Sequence, residues 1–236
     1  MEHETLIVPA KSDVERDAVA DAWVSGGGKV LRVDRFWTRP DVEPSRVALY
    51  GADTFCLVLA QLLGLELVSP RDDLLLDADR RLTRRALRRV SLAETLSRPF
   101  PLFVKPLVPK QFRARVWRAA DDLRAECSGL APETAVITSE VVEICAEARA
   151  WILNGQVLTC AVYEGVGDPN GASSFVADAV AGLDLPSTCV IDAALIYGGW
   201  CILEANASWG AGLNGCEATA AARCIDGATA QGRDRR

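Results

Sequence analysis

Short aliphatic runs alternate along this chain with polar or glycine-rich breaks, and the periods of those runs predict an α/β protein. Leu6-Ile7-Val8-Pro9 reads as a first strand and residues 14–24 as a helix. Gly26-Gly27-Gly28 then breaks the chain before a second strand, Lys29-Val30-Leu31-Arg32-Val33. A β-α-β order of this kind favours a parallel pair with a helical crossover. Val47-Ala48-Leu49-Tyr50-Gly51 predicts a third strand, residues 54–63 an apolar helix, and Leu65-Glu66-Leu67-Val68 a further strand. Residues 1–75 are therefore expected to form a small α/β layer.

A second unit is expected over residues 76–228. Residues 82–96 predict a helix with Arg88 and Arg89 on its solvent side, ended by Pro99-Phe100-Pro101. Leu102-Phe103-Val104-Lys105-Pro106 predicts a strand that closes on a lysine. Residues 115–127 carry Val116, Ala119, Ala120 and Leu123 at helical spacing. Strands follow at 135–139 and 148–153, and Asn154-Gly155 predicts a tight hairpin into a returning strand at 156–163. A polar loop over 165–174 leads to a helix at 175–181. A second hairpin is expected, with strands at 188–196 and 200–206 around Tyr197-Gly198-Gly199. Residues 229–236 are expected to be a disordered tail.

Composition removes several function classes. The 26 basic and 32 acidic residues leave a formal charge of −6, so no basic excess points to nucleic acid. Arg80-Arg81-Leu82-Thr83-Arg84-Arg85 follows Asp72, Asp73, Asp77 and Asp79; this reads as a solvated helix after an acidic loop, with a polyanion site as the alternative. The eight cysteines form no CxxC pair and sit singly in apolar runs, as expected of reduced core residues in a cytoplasmic protein. His3 is the only histidine, which argues against a zinc centre and against a histidine general base. Glu2 and Glu4 stand where a secretory leader would be basic, and no apolar run reaches the length of a membrane span. Gly26-Gly27-Gly28-Lys29 lacks the spacing of a phosphate loop, and a strand rather than a helix follows it.

Three features can carry chemistry. Glu204 and Asn206 share one face of a strand, and pairing across the turn at Tyr197-Gly198-Gly199 brings Asp192 towards them. Two carboxylates and a carboxamide are oxygen donors suited to magnesium. The same acids also read as solvent-facing positions of a half-exposed hairpin, although their aliphatic surroundings make an unpartnered charge costly. Lys105, closing its strand, can set a point charge beside phosphates, with Lys110 in a turn five residues on; an exposed strand-end lysine is the plainer reading. Ser139-Glu140-Val141-Val142-Glu143 is an extended connector whose backbone can serve a base edge. Further on, Glu147 can accept from ribose hydroxyls and Arg149 can stabilise a transferring phosphoryl group, or the two form an ordinary i, i+2 pair on a wet strand face.

Taken together, these spacings resemble the ATP-grasp superfamily, over about residues 47–226. Phe103-Val104-Lys105-Pro106 resembles the family's first strand lysine, and Ser139-Glu140-Val141-Val142 its inter-lobe linker, centred near 139–143. Glu147 falls where the family has a ribose-binding carboxylate, and Asp192 with Glu204 and Asn206 resembles its D…ExN magnesium signature. The segments around 105–112, 139–149 and 203–213 look like a compact bacterial and phage clade. The resemblance implies an N-terminal α/β domain followed by a two-lobed ATP-grasp core. It implies ATP and Mg2+ as cofactors, with Lys105, Lys110, Glu140, Val141, Val142 and Glu147 at the nucleotide. Lys105 and Arg149 would act in catalysis, and Ser208 and Trp209 are candidates for substrate contact. No lysine stands in 135–139 for the family's second lysine, and Lys110 is its candidate replacement; Arg149 is the candidate for an arginine the family carries before its metal aspartate. The implied activity is a carboxylate–amine (or carboxylate–thiol) ligase working through an acylphosphate, with small-molecule or peptide substrates. A phosphotransferase or a non-catalytic nucleotide-binding protein on the same fold are the alternatives. No nucleic acid or membrane partner is expected, and a homodimer is admitted.

Overall fold

A computed structural model describes residues 2–231 of the chain. Its first layer holds β1 (Thr5–Pro9), α1 (Val14–Ser25), β2 (Lys29–Val33), β3 (Val47–Leu49), α2 (Asp53–Leu63) and β4 (Leu65–Leu67). The strands β2-β1-β3 form a parallel sheet. As the central strand, β1 is buried on both faces. Leu6 and Val8 pack with Val19 and Trp23 of α1, and Ile7 packs with Phe55 and Leu59 of α2. Gly28 admits the Trp23 indole: a Cβ there would lie 2.3 Å from Nε1.

The next lobe contains α3 (Arg80–Thr83), β5 (Arg88–Ser91), α4 (Leu92–Leu96), β6 (Leu102–Pro106), β7 (Arg115–Trp117), α5 (Ala120–Glu126) and β8 (Ala135–Ser139). Its antiparallel sheet runs β5-β8-β6-β7, and Val104, Trp117, Leu123 and Val136 form the core. The helix expected over 82–96 is instead a strand flanked by two short helices. Arg84 takes a left-handed conformation (φ +50°) that ends α3, Arg88 and Arg89 pair with Thr138 and Ile137, and the Ser91 hydroxyl caps α4 by accepting from the Glu94 N–H. Pairing with β8 thus overrides the helical propensity of the arginines. The helix expected over 115–127 likewise begins as β7, because Trp117 pairs with Leu102, and turns helical only at Ala120.

The last lobe is built from β9 (Ile144–Leu153), β10 (Gln156–Gly165), α6 (Pro169–Val180), β11 (Thr188–Ile196), β12 (Gly199–Asn206), α7 (Ala218–Asp226) and β13 (Thr229–Gln231). Both expected hairpins form in the antiparallel order β10-β9-β11-β12. The polar loop expected at 165–174 is in part helix. Asp168 caps α6 through the N–H groups of Asn170 and Gly171, with Pro169 at the first helical position. On one face of the sheet α6 covers Ala146, Ala148, Ala150 and Ile152.

The other face meets α7, which packs against α1 and places Ala221, Cys224 and Ile225 in the core of Leu6, Val8 and Trp23. Beyond it, β13 pairs antiparallel with β4, and the Thr229 hydroxyl accepts from the Leu49 N–H. The tail expected from residue 229 is therefore strand as far as Gln231, and its remainder, 232–236, lies outside the described residues. Residues 1–75 do not close a core alone; the end of the chain supplies part of their cover. Among the described residues no helix is long and apolar enough to cross a membrane.

Ile225 is fully buried between the first and last layers. Ile225→Ala is expected to destabilise the whole protein by about 2–5 kcal/mol. Urea unfolding followed by circular dichroism and by fluorescence of Trp23 and Trp151 should show one shifted transition. A separate early transition of the first layer would contradict this shared core.

Candidate functional site

The three layers leave between them a cleft of about 580 Å3, walled by side chains from each. Asp53, Arg71 and Asp72 come from the first third of the chain, Lys105 and Lys110 from β6 and the loop after it, and Arg149, Glu204 and Asn206 from the last lobe. Trp209, Gly210, Ala211 and Gly212 also line it.

Register explains the polar cluster at its base. Asp192 on β11 stands opposite Arg149 of β9 on one side and Glu204 of β12 on the other. The guanidinium grips the carboxylate bidentately, with Arg149 Nε donating to Asp192 Oδ1 at 2.8 Å and Nη2 to Oδ2 at 2.7 Å. Both side chains are largely withdrawn from water, at 12% and 3% exposure. Arg149 Nη1 donates to the Gly212 carbonyl at 2.9 Å. Burial raises the Asp192 carboxyl above its ordinary value, against the pull of Arg149, while the hydrogen-bonded carboxylate raises the guanidinium and holds it charged.

The Asn206 amide joins the two acids. Its nitrogen donates to Asp192 Oδ2 and to Glu204 Oε1, each at 3.0 Å. One point thus lies within hydrogen-bond reach of an oxygen on each carboxylate, a position that favours positive charge. Among the described residues no three His, Cys, Asp or Glu side chains converge, so two acids and one amide are the donor set here. That set suits magnesium, which commonly takes one or two carboxylates and fills its other positions with phosphate oxygens and water. Asp192 Oδ1 accepts only Arg149 Nε within the protein and keeps a free lone pair. Glu204 and Asn206 face the cleft directly.

Lys105 borders both the main cleft and a smaller cavity shared with Arg85 and Glu204. Burial lowers its pKa from the ordinary 10.5, Glu204 opposes the shift, and the Arg85 charge adds to it. Lys110 takes a left-handed backbone (φ +67°) and pairs across the cleft with Asp53, Nζ to Oδ2 at 2.5 Å. Both partners are well exposed, so the pair itself contributes little stability.

Other expected residues sit apart from the cleft wall. Glu140 Oε1 accepts from the Ala86 N–H at 3.0 Å and lies 3.5 Å from Arg80 Nη2, tying the connector to the α3 region. Val142 packs on Ala194, Ile196 and Cys201, and Val141 is exposed. Glu147 accepts a hydrogen bond from the Tyr163 hydroxyl. Ser208 is buried against Thr188, while Trp209 lies at the cleft and donates to the Ser69 hydroxyl at 3.1 Å.

Sequence reasoning missed Arg84 and Arg85. Arg84 Nε donates to the Trp200 carbonyl at 2.7 Å, and buried Arg85 donates to the carbonyls of Ile202 and Leu203 at 2.9 and 3.0 Å. Together they lash the strand that presents Glu204. Nothing in the spacing of the arginine run separates these two from exposed Arg80 and Arg81. Tyr163 also escaped notice: it falls in a register shift between Val162 and Glu164, which the Asn154-Gly155 turn does not predict.

Residues 78–224 match a family model described as an ATP-grasp domain, the second family of its clade. Comparison with curated proteins gives no match. Among solved structures, a RimK domain protein ATP-grasp from Sphaerobacter thermophilus is similar over 94% of this chain and 99% of its own, at 15% identity and a TM-score of 0.59. The ATP-grasp ligase PsnB, complexed with a phosphomimetic variant of a minimal precursor, Mg and ADP, is similar over 96% of each chain, at 14% identity and a TM-score of 0.53. The N5-carboxyaminoimidazole synthase from Aspergillus clavatus, in complex with ADP, is similar over 95% of this chain and 77% of its own, at 11% identity and a TM-score of 0.59. At such identities the likeness is one of fold.

Removing one partner of the buried pair leaves the other charge without compensation. Arg149→Ala is expected to cost about 3–5 kcal/mol of stability in urea unfolding. The double variant Arg149→Ala with Asp192→Asn should recover part of that loss. Equal stability of wild type and Arg149→Ala would show that the pair does not hold the site together.

Proposed function

The chain belongs to the ATP-grasp domain family whose model it matches over residues 78–224, and from that premise we propose that it is an ATP- and magnesium-dependent ligase joining a carboxylate to an amine or thiol through an acylphosphate. The observation that carries this reading is the convergence on one cleft of Lys105, Arg149, Glu204 and Asn206, with Asp192 buried behind them. Cations suited to phosphates and oxygen donors suited to a hard metal thus share one polar cavity, a combination suited to phosphoryl transfer.

In this mechanism Lys105 and Lys110 neutralise phosphate oxygens, Lys110 exchanging its weak pairing with Asp53 for a phosphate. Magnesium, when bound by Glu204, Asn206 and Asp192, supplies Lewis acidity and charge neutralisation at the β- and γ-phosphates. A substrate carboxylate oxygen bonds to the γ-phosphorus as the bond to the β–γ bridging oxygen breaks, releasing ADP. An amine or thiol then attacks the acyl carbon, phosphate departs with the C–O bonding pair, and the nucleophile's proton is lost to solvent. Arg149, oriented by Asp192 and Gly212, offers its fixed charge to the oxyanion formed at either step. Gly210, Ala211 and Gly212 border the cleft that acceptors would enter.

Calorimetric titration with ADP and magnesium tests the assignment. Lys105→Ala and Glu204→Gln are each expected to weaken binding by about tenfold or more, corresponding to one lost charge-assisted contact of about 1.5–3 kcal/mol. Unchanged affinity in both variants would sink it. A stable phosphorylated acceptor formed without any amine requirement would instead assign a phosphotransferase.

The lowered pKa of Lys105 adds a pH signature. Its ammonium is present below the folded-state value and is lost as pH rises through it, earlier than for an ordinary lysine. ADP affinity in the wild type should therefore fall as pH rises, and do so below the pH at which an ordinary lysine loses its proton. Lys105→Arg, charged throughout, should flatten that fall, and an identical profile in the two proteins would contradict the role given to Lys105.

A further inference from the structure

Successive backbone N–H groups beside left-handed residues make a concavity that favours an anion. The loop after β12 contains one: Asn214 has φ +48° and Gly215 has φ +82°. It is filled from within the protein, by Glu15 in the first turn of α1. Glu15 Oε2 accepts from the Leu213 N–H at 2.9 Å and Oε1 from the Asn214 N–H at 2.7 Å. Gly212 makes the approach feasible, since a Cβ there would lie 2.6 Å from Glu15 Oε2. One residue earlier the same loop is held again, by the Tyr50 hydroxyl donating to the Ala211 carbonyl at 2.9 Å.

This loop is the one that holds Arg149. The Gly212 carbonyl, next to the amides taken by Glu15, accepts from Arg149 Nη1. Two bonds to one carboxylate fix Arg149 relative to Asp192 alone. The third bond fixes the pair relative to the loop, and Glu15 fixes the loop relative to the first layer.

We propose that Glu15 is a positioning residue for the metal-facing cluster: it seats the 212–214 loop so that the Gly212 carbonyl orients Arg149, and through it Asp192 and Asn206. The inference rests on the reading of Asp192, Glu204 and Asn206 as the magnesium-facing set. Glu15 touches neither nucleotide nor metal, so its loss should change how well magnesium is used rather than whether ADP alone is bound.

The test titrates MgCl2 into protein with ADP and follows the gain in ADP affinity by calorimetry. Glu15→Ala is expected to raise the magnesium midpoint about three- to tenfold, below the 10–100-fold typical when a direct partner of a metal ligand is lost. Its ADP affinity without magnesium should match wild type. Glu15→Gln, which keeps an acceptor oxygen, should recover part of the shift and carries the test if the alanine variant folds poorly. Leu123→Ala, buried on α5 in the separate core of the antiparallel lobe, should lower the unfolding midpoint and leave the magnesium midpoint unmoved. An unshifted midpoint in both Glu15 variants, or an equal shift in Leu123→Ala, would overturn the proposal while leaving the magnesium reading intact. Wild-type ADP binding indifferent to magnesium would overturn both.

Discussion

The buried pair of Arg149 and Asp192 organises the last lobe. Two charges removed from water are tolerable only when their hydrogen-bonding capacity is well used, and here the planar fork meets both carboxylate oxygens while its remaining arm meets a carbonyl. The pair is internally neutral. The net charge at the cleft floor is thus set by Glu204, against which stand Lys105 and, in the bend after α3, Arg85. Binding a polyanion and a divalent cation together, as proposed for this cleft, calls for such a near-balance, since a strong excess of either sign would repel one of the two.

Each layer supplies the cleft with something the others lack. The antiparallel lobe after the first layer contributes the lysines, the last lobe the oxygen donors, and the first layer Glu15 and Tyr50, which anchor the loop after β12, and Asp53, which pairs weakly with Lys110. The first layer therefore does more than precede the nucleotide-binding core. Its helix α1 packs on α7 and its carboxylates reach the cleft rim.

Much of this was legible beforehand because the relevant signals are local. The Asn154-Gly155 and Tyr197-Gly198 turns fix two hairpins, and the second brings Asp192 towards Glu204, with one register shift completing the match; that Arg149 stands on the other side of Asp192 comes from the pairing of β9 with β11, which no turn announces. Match of the family model to residues 78–224 agrees with the motifs that suggested an ATP-grasp chain. What could not be read was non-local. Arg88 and Arg89 become strand because β8 offers an edge, and Arg85 is buried because three carbonyl groups happen to receive it. Ser91 and Asp168, by contrast, are ordinary helix-capping residues, which the reading of 82–96 as one helix and of 165–174 as a loop passed over. Glu15 gave no signal at all, since its partners are backbone amides some two hundred positions away.

The return of α7 and β13 to the first sheet bears on the order in which the molecule can be made. During synthesis the opening strands leave the ribosome first, and domains ordinarily fold as they emerge. Here Leu6, Val8 and Trp23 await Ala221 and Ile225, and Asp226 accepts the N–H groups of Glu2 and His3. The first layer stays partly uncovered until α7 and β13 have been made. Nascent chains of this protein therefore carry a partly exposed apolar sheet face until those two elements emerge.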